Sequence, residues 1–200
     1  MLYLIRHANP QIDPSKPANQ WQLSTLGIAG AGSLAEHLEG RGIQAVISSV
    51  EPKAVQTAQI LALRLGLPVK VMEGLHEHER AHVAYSTQAE FKDQVARFFV
   101  KPDTLVFGQE TAHQASQRFD AAVQAALAQH PAQTLAIVTH GTVLSLYISQ
   151  HCALDAYAFW QSLGIPACIH LDLPSCQVVE SWSPPVSPTP PRENADETGH

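Results

Sequence analysis

The sequence predicts an α/β layered fold, and three observations carry that reading. Short strand-like apolar runs alternate with helix-length amphipathic stretches along most of the chain. Four of the early runs end in chemically distinctive polar residues, and the last two are joined at Pro174-Ser175 in the manner of an antiparallel edge hairpin.

Taken in order, Leu-Tyr-Leu-Ile at residues 2–5 reads as the first strand, followed by a loop rich in Pro, Asp, Ser and Asn. Ser24 is placed to cap a helix running through Leu26, Leu34, Ala35 and Leu38, which Gly40 and Gly42 end. Residues 45–48 form the second strand. Ser49 is placed to cap the next helix and Pro52 to occupy its first turn, where a missing backbone donor costs little. Val55, Ala58, Leu61, Ala62 and Leu65 carry that helix to Gly66, and residues 69–72 make a short third strand. A weaker helical pattern covers residues 88–100, and a long alanine-rich helix covers 110–130, with Phe119, Val123 and Leu127 at helical spacing. The fourth strand is 135–138, a helix follows over 142–150, Asp155 caps another short one, and 167–173 and 177–181 are the final strands.

Two hundred residues, 45% of them hydrophobic, suffice for one substantial core. The net charge of −6 lacks the basic excess of a nucleic-acid binder. Three late cysteines, Cys152, Cys168 and Cys176, have no CxxC spacing, so the expectation is buried reduced thiols rather than disulfides or a zinc ribbon. The apolar start is too short for a signal peptide or a membrane span, and a soluble, cytoplasmic protein is expected. Residues 183–200 are proline-rich and then polar, with almost nothing to bury, and read as a disordered extension of a domain at 1–182.

The strand ends hold the chemistry. The first strand runs into Arg6-His7, the second into Ser48-Ser49, the third into the segment from Glu73 to Glu79, and the fourth into Thr139-His140-Gly141. In open parallel sheets ligands bind beyond the carboxyl ends of the strands, so these distant segments are expected to converge. Lys53 and Thr57 share one face of the helix after Ser49, near its start. An arginine fork, a lysine charge and helix-start N–H groups suit a phosphoryl group. A neutral imidazole adds a nucleophile, and one carboxyl among Glu73, Glu77 and Glu79 is available to protonate a leaving oxygen, its pKa raised by the bound phosphate. Taken singly, His7 reads as a buried strand-end histidine, Arg6 and Lys53 as surface charges, Thr57 as solvent-facing, and Gly141 as a backbone requirement.

With these motifs in this order, Arg6-His7, Ser48-Ser49 with Gln56-Thr57-Ala58, Leu75-His76-Glu77 and Thr139-His140-Gly141, the chain resembles the histidine phosphatase superfamily, the phosphoglycerate mutase-like proteins, over residues 1–182. The resemblance implies a three-layer α/β/α sandwich with a mostly parallel sheet and an antiparallel edge strand. It implies His7 as a phosphorylated nucleophile, Arg6 and His140 as phosphate ligands, Glu77 as proton donor in preference to Glu79, and no cofactor. Asn9 and Gly141 are candidate substrate contacts, and a small phosphorylated metabolite is the expected partner, a phosphoprotein the alternative. The compact length favours a phosphatase over a mutase.

Three departures from the family pattern stand out. Lys53 occupies the place of a second phosphate-binding arginine, keeping charge but losing the bidentate fork. Ala8 replaces a glycine, and Gln109-Glu110-Thr111 replaces the usual Gly-Glu-Ser. These leave open a catalytically weak phospho-ligand binding module of the same fold. His76, His78 and His82 raise a metal hypothesis through HxH spacing, but no companion ligand is evident and the expectation is no metal.

Overall fold

Period-two alternation along the strands decides the layering of the fold. In β1 (Leu2–Arg6), Leu2 and Leu4 belong to one buried cluster, while Tyr3 and Ile5 belong to another. The second cluster takes in α1 (Thr25–Leu38) and α2 (Pro52–Leu65). The first takes in α3 (Gln88–Val100), α4 (Ala112–Gln129), α5 (Gly141–Cys152) and α6 (Ala156–Ser162). Helices therefore cover both sheet faces, the expected three-layer sandwich. The structure is a computed structural model and describes residues 1–80, 82–83, 87–173 and 175–184. Pro174 of the expected turn, and the expected disordered extension from residue 185 onward, lie outside the described residues.

The remaining strands are β2 (Ala45–Ser48), β3 (Val69–Val71), β4 (Leu135–Thr139), β5 (Ala167–Asp172) and β6 (Gln177–Trp182), in the spatial order β3-β2-β4-β1-β5-β6. The first four are mutually parallel, β5 runs antiparallel to β1, and β6 runs antiparallel to β5 at the edge. Register brings the carboxyl ends of β1, β2 and β4 level: Arg6 pairs with Thr139 and Ser48 with Val138. One residue further on, the His7 N–H donates to the Thr139 carbonyl at 2.9 Å, and the Ser49 N–H to the Val138 carbonyl at 2.9 Å.

Local signals place most boundaries. Ser24 caps α1 by accepting from the Gly27 N–H at 3.0 Å, and Asp155 caps α6 at 2.7 Å. Thr87 and Thr111 each form a reciprocal capping box, with Glu90 and Gln114, which starts the long helix at Ala112 rather than Glu110. Ser49 does not cap α2: its hydroxyl accepts from the Glu51 N–H at 3.3 Å and meets His140, and Glu51 is the N-cap, without a side-chain cap bond. The inward face of α1 is Gly27, Ala31, Leu34, Ala35 and Leu38, and Leu26 is exposed. No helix among the described residues is long and apolar enough to cross a membrane.

The phase of α1 is fixed by one close approach. Gly27 packs against the Asn9 backbone, where an added Cβ would fall 2.1 Å from the Asn9 carbonyl oxygen. The same carbonyl accepts from the Ser24 N–H at 3.0 Å and from the Ser24 hydroxyl at 3.1 Å, tying the chain just after His7 to the start of α1. A Gly27→Ala variant should lose about 1–3 kcal/mol of stability through backbone displacement. Urea unfolding with an unchanged midpoint would contradict this close packing.

Candidate active site

His7 leaves β1 into a buried position, and its Nδ1 lies 2.7 Å from the Ala8 carbonyl oxygen. A carbonyl only accepts, so Nδ1 carries the proton and the lone pair is left on Nε2. Burial pushes the imidazole pKa well below its usual value, and the charges of His140, Lys53 and Arg6 push the same way against the Ala8 hydrogen bond. His7 is therefore a neutral ring at physiological pH. The chain at Ala8 is held by its N–H donating to Thr57 Oγ1 at 3.1 Å, and Thr57 is fully buried rather than solvent-facing. Ala8 is absent from the positive-φ residues, so no glycine is required there.

His140 stands beside His7, the ring centroids 5.1 Å apart in an edge-on arrangement. Its Nε2 is 2.8 Å from Ser49 Oγ, while Nδ1 is buried with no partner among the described residues. Burial, followed by the Lys53 charge, keeps this ring neutral also. Arg6 donates from Nη1 to the Leu163 carbonyl at 2.9 Å, leaving Nε buried and unpartnered. Desolvation lowers its pKa to about 10, so the guanidinium stays charged at neutral pH. Gly141 lies directly under this group: an added Cβ would sit 3.0 Å from Arg6 Nε and 3.1 Å from Cζ. Close approach by Arg6, rather than a positive φ, is what a side chain at Gly141 would violate.

Glu77 is buried at the start of α5. One carboxylate oxygen accepts from the His78 N–H at 2.9 Å and the Val143 N–H at 3.3 Å, the other from the Thr142 N–H at 3.2 Å. These are donors that a helix start leaves unsatisfied. Burial raises the carboxyl pKa, but the Arg80 charge and the His78 N–H bond outweigh it, and the pKa settles at about 2. The raised value expected from the sequence presupposes a bound phosphate; without one, the surrounding cations hold Glu77 ionised. Glu79 is exposed, 3.3 Å from the His76 ring, so of these two carboxylates it is Glu77 that touches the His140 helix.

Lys53 is almost wholly buried. Its ammonium donates to Glu51 and, at 2.7 Å, to the carbonyl of Ala18, which lies in a short 3-10 turn (Ala18–Gln20) that sequence patterning does not reveal. Desolvation lowers its pKa, with Glu51 opposing. Glu51 also accepts from the Glu77 N–H at 2.9 Å and lies 3.5 Å from His140 Nε2. Asn9 is held by its backbone carbonyl, and its side chain is half-buried.

The structure thus gathers Arg6, His7, Lys53, Glu77, His140 and Gly141 beyond the sheet, and adds residues that sequence reasoning missed. Glu51 carries no signal, since nothing local shows that its charge is buried. Arg118 carries none either, because its partner Glu110 precedes the Thr111 N-cap of α4 and lies outside the helical period. It donates to the carbonyls of Gly74 (2.8 Å), His76 (3.0 Å) and Glu77 (3.2 Å) and pairs with Glu110, which accepts from the Glu79 N–H at 2.9 Å. Thr139 Oγ1 donates to the Leu75 carbonyl at 2.8 Å, so four consecutive carbonyls of the Glu77 loop are fixed. Glu110 is thereby a structural partner of this loop. His78 packs against Phe98 and Phe107 and donates from Nε2 to the Glu110 carbonyl at 3.1 Å, which takes it out of an HxH pair with His76.

A cavity of about 460 Å³ opens beside Lys53, Glu51 and Glu77, with Arg80 and His76 on its wall. His7, Arg6 and His140 are not on that wall.

A three-layer sandwich with two histidines, cations and a buried carboxylate gathered beyond its parallel strand ends places the chain among α/β proteins with a polar site at the strand ends. The chain belongs to the histidine phosphatase superfamily (branch 1), whose family model matches residues 2–171. It is 28% identical over 167 residues to "Probable phosphoglycerate mutase GpmB" of Cronobacter sakazakii, covering 78% of this chain and 77% of that one. Its fold is similar to phosphoserine phosphatase from Entamoeba histolytica (TM-score 0.71, 17% identity, covering 90% and 95% of the two chains). Mycobacterial glucosyl-3-phosphoglycerate phosphatase is similar at TM-score 0.65 and 25% identity, covering 82% and 86%.

Glu77 couples the site to stability. Its folded pKa of about 2 lies below the usual carboxyl value of 4.5, so its stabilisation is complete above pH ~4.5 and lost as pH falls toward 2. A Glu77→Gln variant should show a flatter dependence of unfolding free energy on pH between 5 and 2 than the parent. Parallel curves in urea titrations across that range would refute the buried carboxylate.

Proposed function

We propose that this protein is a metal-independent phosphatase that hydrolyses a small phosphomonoester through a phosphohistidine on His7. The observation that carries the reading is the tautomer and neutrality of His7: Nδ1 is committed to the Ala8 carbonyl and Nε2 is free beside Arg6, Lys53 and His140. Arg6 Nε, buried without a partner, is a donor that a phosphoryl oxygen would satisfy, and His140 Nδ1 is likewise unpartnered. Membership of the superfamily and the phosphatases among its structural relatives support the same assignment.

The proton bookkeeping follows from Glu77. A phosphomonoester monoanion, whose remaining proton has a pKa near ~6, enters a site holding Glu77 ionised. The incoming negative charge raises the carboxyl pKa, and the proton passes from substrate to Glu77. Nε2 of His7 then attacks phosphorus, the P–O bond breaks, and Glu77 returns the proton to the leaving oxygen. In the second half, Glu77 accepts a proton from water as the water oxygen attacks phosphorus, the N–P bond breaks to restore His7, and the proton leaves with the departing phosphate, which restores the ionised Glu77. Arg6, Lys53 and His140 hold the phosphoryl oxygens throughout, and no metal or organic cofactor enters a step.

A base-stable, acid-labile phosphoryl group should be trappable on His7 during turnover, and His7→Ala should abolish hydrolysis in a broad phosphoester panel. Undiminished activity in His7→Ala would overturn the proposal; tight phosphate binding with no turnover by the parent would favour the binding module. Glu77→Gln should slow alkyl phosphates by about 10²–10⁴-fold and p-nitrophenyl phosphate far less, because that leaving group needs no acid. Equal losses on both would assign Glu77 a structural role only.

A further inference from the structure

Arg80 is the cation on the cavity wall to which the catalytic scheme gives no contact with substrate, although its charge helps keep Glu77 ionised. It lies three residues beyond Glu77, and the segment between them is held by Arg118 and Glu110, with the Gln109 N–H donating to the Glu79 carbonyl at 2.7 Å. The guanidinium carbon sits 4.6 Å from the centroid of the Phe91 ring, so one face of the group is covered by the aromatic ring. Its Nη1 is buried and has no hydrogen-bond partner among the described residues. A buried guanidinium donor left unmatched is costly, and a ligand oxygen is the natural partner in a cavity wall.

The position of the cavity says which part of a substrate reaches Arg80. Glu77 and Lys53 form part of the wall, whereas His7, Arg6 and His140 do not. If His7 takes the phosphoryl group and Glu77 protonates the leaving oxygen, the alcohol portion occupies this cavity. The other wall cation, Lys53, is already matched by Glu51, and Glu73 and Glu79 are exposed. The Nη1 donor of Arg80 is unmatched, and the fork of a guanidinium fits a carboxylate.

We propose that Arg80 is a specificity residue that binds a carboxylate on the leaving-group portion of the substrate, making the preferred substrate class carboxylated phosphomonoesters. The assignment rests on the phosphatase reading, which sets the orientation of the substrate.

The test compares phenyl phosphate with its 2-, 3- and 4-carboxy derivatives and with 1,3-phenylene bisphosphate. Binding is measured by calorimetry in the full-length His7→Ala background with Arg80 intact, Arg80→Gln or Arg80→Lys, so turnover is not needed. At least one carboxylated compound should bind more tightly than phenyl phosphate. Arg80→Gln should weaken it by roughly ten- to a hundred-fold while changing phenyl phosphate less than about twofold, with partial recovery in Arg80→Lys. Equal weakening of all compounds would make Arg80 a phosphoryl ligand, tightest binding of the bisphosphate would make it a phosphate reader, and no weakening or no binding would remove its role; each overturns the proposal. Hydrolysis by the protein with an unaltered sequence is scored separately: binding that depends on Arg80, without turnover of any compound, overturns the phosphatase reading and not the carboxylate contact.

Discussion

The carboxylate of Glu77 on the first turn of α5 is the contact around which the site is arranged. It accepts from Thr142 and Val143, the donors that a helix start leaves open, and from His78 in its own loop. The loop after β3 is thereby joined to the helix whose N-cap is His140 and whose first residue, Gly141, lies under Arg6. Displacing Glu77 would leave buried N–H groups unmatched, at a cost of about 1–3 kcal/mol for each. The partners on the opposite side of the loop, Arg118 and Thr139, show the same logic, since they satisfy carbonyls that leave the ladder at a sheet end.

Burying this many ionisable groups is tolerable only because their charges are distributed. His7 and His140 are neutral, for which desolvation is the leading cause, and Lys53 is matched by Glu51. Glu77 stays ionised because the cations around it outweigh its burial. Arg6 is charged yet incompletely bonded, and His140 is neutral with one ring nitrogen unmatched. Local polarity is therefore unspent where a phosphoryl group is expected and satisfied where the loop must be rigid, the division that preorganisation requires.

Most of this architecture was legible because it depends on local patterns. Strand alternation, the Ser24 and Asp155 caps and the Gly66 stop are properties of a few adjacent residues, and each appears in the structure near its expected place. The strand-end motifs were legible for a related reason: parallel neighbours with level carboxyl ends bring such residues together whatever lies between them. Tertiary demands explain the failures. Ser49 lies two residues ahead of the Glu51 N-cap and meets His140, Leu26 yields the inward face to Gly27 because Asn9 leaves no room for a side chain, and His78 packs against two phenylalanines. Glu51, Arg80 and Arg118 act across the fold at separations no local period encodes.

Lysine at position 53 is best understood through Glu51. A family arginine there would place a planar fork against phosphate, but here the ammonium is buried between the Glu51 carboxylate and the Ala18 carbonyl. A compact ammonium with freely rotating donors can meet both acceptors and still present a third hydrogen, whereas a rigid fork has its directions set. The pair contributes little net charge, so in the proposed reaction the phosphoryl group depends more heavily on Arg6. Glu51 also accepts from the Glu77 backbone, so the lysine is tied to the loop that carries the carboxyl group. A Lys53→Arg substitution alone would disturb that connection as well as supply the fork.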